Sequence, residues 1–335
     1  MSNFSNHPKR KLGGSDIEML PVGLGCMSFS GVYGASDDDA AVDLIHAAID
    51  SGVDALDSSD MYGWGHNEEL LGRALAGGYR DKIVLITKFG QVKNPDGGGN
   101  LVDGRPEYVM SCCDASLQRL KTDVIDLYYQ HRIDPKVPIE DTVGAMGRLI
   151  EQGKVRAIGI CEGKPETIRR AHGAHPLAAV QSEYSLLYRE QAEESLEAMR
   201  ELGISYMAYS PLGRGLLTNQ FLGMDSLPED DPHARHPRYA GENFSHNIEL
   251  ARRVAEIAEE KGCTPAQLCI AWLLAQGDDI VTIPGTKRRE RLDENMGALD
   301  VSLSADDVAR ISDAVPAGAA AGTRYPAGGM KGVHI

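Results

Sequence analysis

The chain has 335 residues, 42% of them hydrophobic and 25% charged, enough apolar material for one large barrel or two ordinary domains. Its 34 basic and 49 acidic residues leave a net charge of −15, which argues against nucleic-acid or anionic-membrane binding, since each needs a basic face. Apolar stretches stay under ten residues and the N-terminal Met-Ser-Asn-Phe-Ser-Asn-His-Pro has no apolar core, so no transmembrane helix and no signal peptide are expected, and the location read from the sequence is cytoplasmic.

In chain order, Lys11-Leu-Gly-Gly-Ser-Asp-Ile-Glu-Met-Leu20 reads as a hairpin that plugs the bottom of whatever follows. Eight short strand-like runs come next: Val22–Leu24, Ala55–Asp57, Ile83–Lys88, Ile125–Gln130, Val155–Ile160, Ala179–Glu183, Ser205–Tyr209 and Ile280–Ile283. Segments with apolar residues at three- and four-residue spacing separate them: Asp39–Ser51, Asn67–Ala76, Pro106–Leu120, Ile139–Gln152, Pro165–His172, Gln191–Leu202, and Asn247–Lys261 followed by Thr264–Ala275. Ser36-Asp-Asp-Asp, Pro106 and Pro165 suit helix starts, and Gly52, Gly153, Gly203 and Gly262 suit helix ends. The six cysteines (Cys26, Cys112, Cys113, Cys161, Cys263, Cys269) show no paired spacing and are expected reduced, with Cys112-Cys113 structural members of a helix.

Eight strand–helix repeats predict an α/β fold, a (β/α)8 TIM barrel occupying residues 1–315 as a single domain. A doubly wound sheet is the structural rival. It would usually carry a Gly-x-Gly-x-x-Gly turn, and Gly23-Leu-Gly25 and Gly213-Arg-Gly215 both lack the third glycine. The polar stretch Pro211–Ser245 is long for a compact domain and leaves strand seven, so it is expected as a functional loop on the C-terminal face. Residues 316–335 are low in complexity and expected to be a mobile tail.

Reactive residues of such barrels collect at strand C-termini. Asp57, Lys88 and His131 end strands two, three and four, and Tyr62 lies in the loop after strand two. Singly, each has an ordinary reading: a cap, a rim lysine, a structural histidine, a turn residue. Their coincidence on consecutive strands favours a site. An ammonium lowers the pKa of a neighbouring phenol, a carboxylate compensates a buried ammonium, and an imidazole can hydrogen-bond a carbonyl oxygen or pass a proton. Such a group can protonate an oxygen that gains negative charge, as reduction of a carbonyl by hydride requires. No HExxH, CxxC or His-Cys cluster offers a metal alternative. Lys287-Arg288-Arg289 and Arg291 form a basic cluster between strand eight and a helix start, which by itself reads equally as a phosphate site or a solvated helix cap.

From Lys11 to about Leu303 the sequence resembles the aldo-keto reductases. The residues carrying the likeness are Asp57–Gly63 with Asn67-Glu-Glu-Leu-Leu-Gly-Arg-Ala-Leu75, Lys88, Gln130-His131-Arg132, Val180-Gln-Ser-Glu-Tyr-Ser185, Tyr209-Ser-Pro-Leu-Gly-Arg-Gly215, and Ile283-Pro-Gly-Thr-Lys-Arg288 with Glu294-Asn295. The Ser-Pro-Leu-Gly-Arg-Gly segment is most similar to the bacterial and plant branch that prefers NADPH. The resemblance implies Tyr62 as general acid, Lys88 lowering its pKa, Asp57 pairing with Lys88, and His131 orienting the carbonyl. It also implies Tyr209 stacked on a nicotinamide, Gln181 bonded to its carboxamide, and Ser210, Pro211, Leu212, Gly213, Arg214 and Gly215 over a pyrophosphate. Gly25, Cys26, Met27 and Asp57 would line the cofactor, and Gly285, Thr286, Lys287, Arg291, Glu294 and Asn295 would hold the adenosine 2′-phosphate and adenine. With the resemblance, the basic cluster favours NADP(H) over NAD(H).

One departure stands out. The family commonly has Ser-Asn after strand five, where this chain has Cys161-Glu162. Glu162 can still accept from the carboxamide, while Cys161 is a weaker partner than serine and places a thiol near the cofactor. Phe29, Tyr33, Trp64, Arg132 and the Pro211–Ser245 loop are the candidates for the substrate pocket. Trp64 stands where a smaller residue is usual, and its indole can pack on a ring-shaped substrate or on the loop. The expected activity is NADPH-dependent reduction of an aldehyde or ketone to an alcohol. The alternative is a nicotinamide-binding regulatory protein that resembles channel β-subunits and turns over slowly. The expected partner is a small-molecule carbonyl substrate, without nucleic acid or membrane; oligomeric state is not written in the sequence.

Overall fold

The computed structural model describes residues 3–97, 99–228 and 230–335. The first two residues of the N-terminal stretch and Glu229 of the loop after strand seven therefore lie outside the described residues. Eight parallel strands run in sequence order: β1 (Leu24–Gly25), β2 (Ala55–Asp57), β3 (Val84–Phe89), β4 (Ile125–Gln130), β5 (Val155–Cys161), β6 (Ala179–Glu183), β7 (Ser205–Tyr209) and β8 (Ile280–Thr282). Bridges Val22 to Thr282 and Gly25 to Gly285 join β1 to β8 and close the sheet into a barrel. Closure is tight here: a Cβ on Gly25 would lie 2.6 Å from the Ile283 carbonyl oxygen.

All eight expected strands form. Between and after them run α1 (Asp38–Asp50), α2 (His66–Ala74), α3 (Pro106–Leu120), α4 (Ile139–Glu151), α5 (Pro165–Ala174), α6 (Glu190–Leu202), α7 (Glu242–Lys261), α8 (Pro265–Leu274), α9 (Arg289–Met296), α10 (Ala305–Ala314) and the short α11 (Ala327–Met330). Local chemistry sets their ends. Asp37, rather than Ser36, caps α1 by accepting from the Ala40 N–H, and Thr264 and Gln267 form a reciprocal capping box on α8. Gly203 and Gly262 take left-handed φ of 65° and 70° just past α6 and α7. Helix α7 begins five residues before its apolar periodicity (Glu242 against Asn247), because its first turn is polar except for the buried Phe244. No described helix is long and apolar enough to cross a membrane.

Side chains on a strand alternate between two faces. Ala55, Ile86, Leu127, Tyr129, Ala157, Cys161, Ala179, Met207 and Val281 form one apolar cluster inside the barrel, joined from below by Leu12, Ile17 and Met19 of the hairpin. The hairpin strands Arg10–Lys11 and Glu18–Met19 pair antiparallel, and the Gly13 N–H donates to Ser205 Oγ at the start of β7. The plug is therefore real. The same two-residue step that puts Ala55, Ile86, Tyr129 and Ala179 inside also carries Asp57, Lys88, His131 and Gln181 inside, one step further toward the strand C-termini.

The tail makes specific contacts with the barrel. Ala321 is held from both sides by Asn247, whose Nδ2 donates to its carbonyl and whose Oδ1 accepts from its N–H, each at 2.9 Å. Beyond it the chain crosses the C-terminal face, where Arg324 is 1% exposed. Low complexity describes residues 316–322; one buried guanidinium further on decides where the segment goes. As a test of closure, Gly25→Ala should destabilise the barrel by about 2 kcal/mol, because the clash is with backbone that cannot rotate away. Urea unfolding of the variant against wild type measures it.

Candidate active site

Strand β2 delivers Asp57 and β3 delivers Lys88 to the barrel interior, where Lys88 Nζ donates to Asp57 Oδ1 at 2.5 Å and to the Ser58 carbonyl at 2.7 Å. The third Nζ contact is the Tyr62 hydroxyl at 3.2 Å. A buried ammonium with three oxygen partners has its proton capacity filled, as a buried charge requires. Burial alone would lower the Lys88 pKa; Asp57 and Tyr62 outweigh it and raise it. Tyr62, 9% exposed, is pushed up to about 12 by burial, with Lys88 pulling the other way. The phenol is thus neutral near pH 7, a proton donor rather than a phenolate.

His131 follows β4 and meets Tyr62 edge-on, with ring centroids 5.8 Å apart. Burial, then the charges of Lys88 and Arg132, hold its pKa well below the usual histidine range, so the ring is neutral. Its Nδ1 lies 2.9 Å from Ser59 Oγ, a partner not singled out in the sequence although Ser59 sits between Asp57 and Tyr62. Asn67 was seen only as part of a motif. Its side chain accepts from Ser58 Oγ and donates to the Cys26 carbonyl and Ser30 Oγ, tying the start of α2 to the turns after β1 and β2.

Gln181 reaches across the barrel and donates to Asp57 Oδ2 at 2.8 Å, so both Asp57 oxygens are engaged. Cys161 is buried beside these groups, and burial pushes its thiol up to about 12; a reactive thiolate is not what the site holds. Glu162, in left-handed backbone (φ 59°), accepts from the Tyr209 hydroxyl at 2.6 Å and from Arg324. Burial would raise it, but Arg324 brings it down to about 2. Ser210, Gly213, Arg214 and Gly215 all have positive φ, which curls the chain after β7 into a tight turn. Such turns can present backbone N–H groups to an anion. Pro211 and Leu212 lie within this turn, with the Gly215 N–H donating to the Leu212 carbonyl.

At the other end of the face, the first turns of α9, which follow Gly285 and Thr286 in the chain, border an open cleft of about 540 Å³. Arg288, Arg291 and Glu294 of this cleft face Thr264 and Gln267 at the start of α8, and Asn295 is buried behind them. Two guanidinium groups at a helix start suit a phosphate monoester, although Glu290, Asp293 and Glu294 line the same cleft and Arg291 Nη1 donates to Glu294 at 2.5 Å. Lys287 does not join them: its Nζ donates to the carbonyls of Tyr33, Gly34 and Ala35, fastening the loop after β1. Among the pocket candidates, Phe29 is displaced from expectation. It is buried in the outer apolar core, because the helical turn Met27–Ser30 packs against α2. Cys26 and Met27 lie at the top of β1, with Cys26 fully buried. Trp64 stands 44% exposed in left-handed backbone (φ 55°), free of the core. Arg132 Nη1 donates to the His131 carbonyl at 2.9 Å, and Tyr33 stacks on His233 of the long loop.

A closed barrel with an acid, an amine, a phenol and an imidazole at neighbouring strand ends defines an enzyme-like, proton-handling site. The family model described as "Aldo/keto reductase family" matches residues 21–316. A soybean (Glycine max) protein named "Probable aldo-keto reductase 1" is 44% identical, the match covering 94% of this chain and 91% of that one. "Aldo-keto reductase yakc [NADP(+)]" of Schizosaccharomyces pombe is also 44% identical, over 96% and 95% of the two chains. The solved glycerol dehydrogenase AKR11B4 of Gluconobacter oxydans superposes with a TM-score of 0.83 at 29% identity, covering 91% of this chain and 94% of that one. The holo form of AKR11C1 from Bacillus halodurans gives 0.78 at 27% identity, over 93% and 97%. This chain belongs to the aldo/keto reductase family. The regulatory alternative is not favoured by these relatives, which carry reductase and dehydrogenase names.

The ion pair at the centre of the site is testable by stability. Lys88→Met leaves a buried, uncompensated Asp57 and should cost about 3–5 kcal/mol. Adding Asp57→Asn should recover a large part of it in a denaturant melt, because no lone charge then remains inside.

Proposed function

We propose that the protein is an NADPH-dependent carbonyl reductase that converts an aldehyde or ketone to the alcohol. The observation that carries this is the buried Tyr62–Lys88–Asp57 arrangement, in which a neutral phenol touches an ammonium that is itself neutralised from behind. NADPH would supply the hydride. The chain's residues would do the rest.

The substrate carbonyl oxygen would sit between Tyr62 and His131. Ser59 holds His131 through Nδ1, which leaves Nε2–H to donate to that oxygen and fix its direction. As negative charge grows on the oxygen, Tyr62 gives up its proton. The phenolate left behind would face Lys88 at 3.2 Å, and this contact strengthens as the charge develops. Asp57 keeps Lys88 protonated throughout, and Gln181 keeps Asp57 from turning away.

The donor set fits a 2′-phosphorylated dinucleotide. Arg288 and Arg291 at the start of α9 would hold the phosphate, the turn Ser210–Gly215 would follow the pyrophosphate, and Tyr209 with Glu162 would receive the nicotinamide. The name of the fission-yeast relative, which includes NADP(+), supports this choice. Trp64 and Arg132 at the mouth would meet the substrate.

Tyr62→Phe should lower kcat with NADPH and a reactive aldehyde by about 10³-fold while leaving NADPH binding within a few-fold. A variant within fivefold of the wild-type rate would remove Tyr62 from this role. Arg291→Ala should weaken NADPH binding by about 1–2 kcal/mol and leave NADH nearly unchanged, read by titrating both cofactors.

A further inference from the structure

Glu162 is a carboxylate buried just after β5, and its partners show why a charge can stay there. Arg324, from the segment after α10, meets it with both guanidinium nitrogens: Nη1 to Oε1 at 2.8 Å and Nη2 to Oε2 at 2.7 Å. The same carboxylate takes the Tyr209 hydroxyl on Oε1 and, also on Oε1, the Glu183 N–H at 3.1 Å. Arg324 lies 4.0 Å from the centre of the Tyr188 ring. Its neighbour Tyr325 places its hydroxyl 3.1 Å from that of Tyr209 and its ring 4.7 Å from the Arg214 guanidinium. Arg214 Nη1 in turn donates to the Arg324 carbonyl at 2.9 Å. Further along, the Ile335 N–H donates to the Glu162 carbonyl and the Lys164 N–H to the Ile335 carbonyl, so the segment is sewn to the end of β5 at two points.

We propose that Arg324 is a positioning residue for dinucleotide binding: with Tyr325 it fixes Glu162 and Tyr209, the two groups that would receive the nicotinamide, and so couples docking of the tail to occupation of the site. The proposal rests on the dinucleotide reading above. An ionised carboxylate has about four acceptor positions. Three donors crowd Oε1 and one falls on Oε2; at about two positions per oxygen, Oε2 has one left for a donor such as a carboxamide N–H. Arg324 supplies the charge that lets Glu162 remain ionised and acceptor-only while buried. Tyr209 is held through its hydroxyl by Glu162 and Tyr325, which fixes the direction in which the ring projects.

Three measurements on the full chain test this. NADPH is titrated by quenching of Trp64 and Trp272 fluorescence, tryptic cleavage at the exposed Lys331 is timed without cofactor, and kcat and KM for NADPH are measured with a reactive aldehyde. Arg324→Met is expected to raise the NADPH dissociation constant at least tenfold, to raise KM for NADPH by more than kcat falls, and to speed cleavage at Lys331 at least tenfold. Glu162→Asn with Arg324→Met is expected to bind NADPH no worse than Arg324→Met alone, because the pair acts as a unit. If Arg324→Met does not fold, Tyr325→Phe, which removes only the hydroxyl joined to Tyr209, is expected to raise the dissociation constant at least threefold. Wild-type binding with Arg324→Met or Tyr325→Phe unchanged, or losses that multiply in the double variant, would overturn the proposal alone. A wild type that does not bind NADPH would overturn the dinucleotide reading, and this proposal with it.

Discussion

Everything at the centre of this protein is arranged around one buried charge. Lys88 is fully enclosed, and an ammonium inside a barrel persists only if its protons are all received. Asp57, the Ser58 carbonyl and Tyr62 receive them. That requirement fixes the spacing between β2 and β3, the course of the turn after β2, and the direction of the Tyr62 hydroxyl. It also sets the balance at the phenol: burial raises Tyr62 to about 12, and the same ammonium that the site must satisfy pulls the other way.

A second, larger set of buried charges lies on the opposite arc of the barrel mouth. Glu162 follows β5 and Glu183 ends β6, and three arginines converge on them: Arg214 and Arg238 from the long loop after β7, and Arg324 from the tail. Arg238 Nη1 donates to Glu183 at 2.8 Å and its Nη2 to the Leu187 carbonyl at 2.9 Å. Segments without regular structure are thereby tied to the barrel mouth by charge: Glu183 is shared among the arginines, and Glu162 has its direct ion pair with Arg324. The two arcs meet at Tyr209 and Gln181. One is tied to Glu162 and the other to Asp57, so the site between them is walled by groups whose positions are set by charge rather than by packing alone.

The fold was legible because a parallel barrel strand is short, apolar and bounded by turn chemistry, and eight such runs left little room for another architecture. The four strand-end residues were legible for a related reason: polar side chains at the ends of apolar runs are conspicuous. Less was visible where the deciding contact is distant in sequence. Ser59 looks like any serine in a turn until His131 is placed 2.9 Å away by β4. Lys287 reads as one of a basic cluster, yet the loop after β1 brings three carbonyls to it and removes it from the cluster. Phe29 precedes a variable-looking loop but is turned inward by a helical turn. Helix α10 is different: a capping box at Ser304 and Asp307 and apolar Val308, Ile311 and Val315 at three- and four-residue spacing mark it in the sequence.

By itself, the sequence determined the alternation of strands and helices, the inward face of each strand and the identity of the groups at the strand ends, since all of these follow from local periodicity of two and of 3.6 residues. Only the tertiary structure decided which charges meet. Arg324 and Glu162 are separated by 162 positions in the chain, and their pairing depends on where Asn247 turns the tail and on how the chain leaving β5 presents Glu162. Pairing of this kind is set by burial and distance in three dimensions, and no periodicity records it.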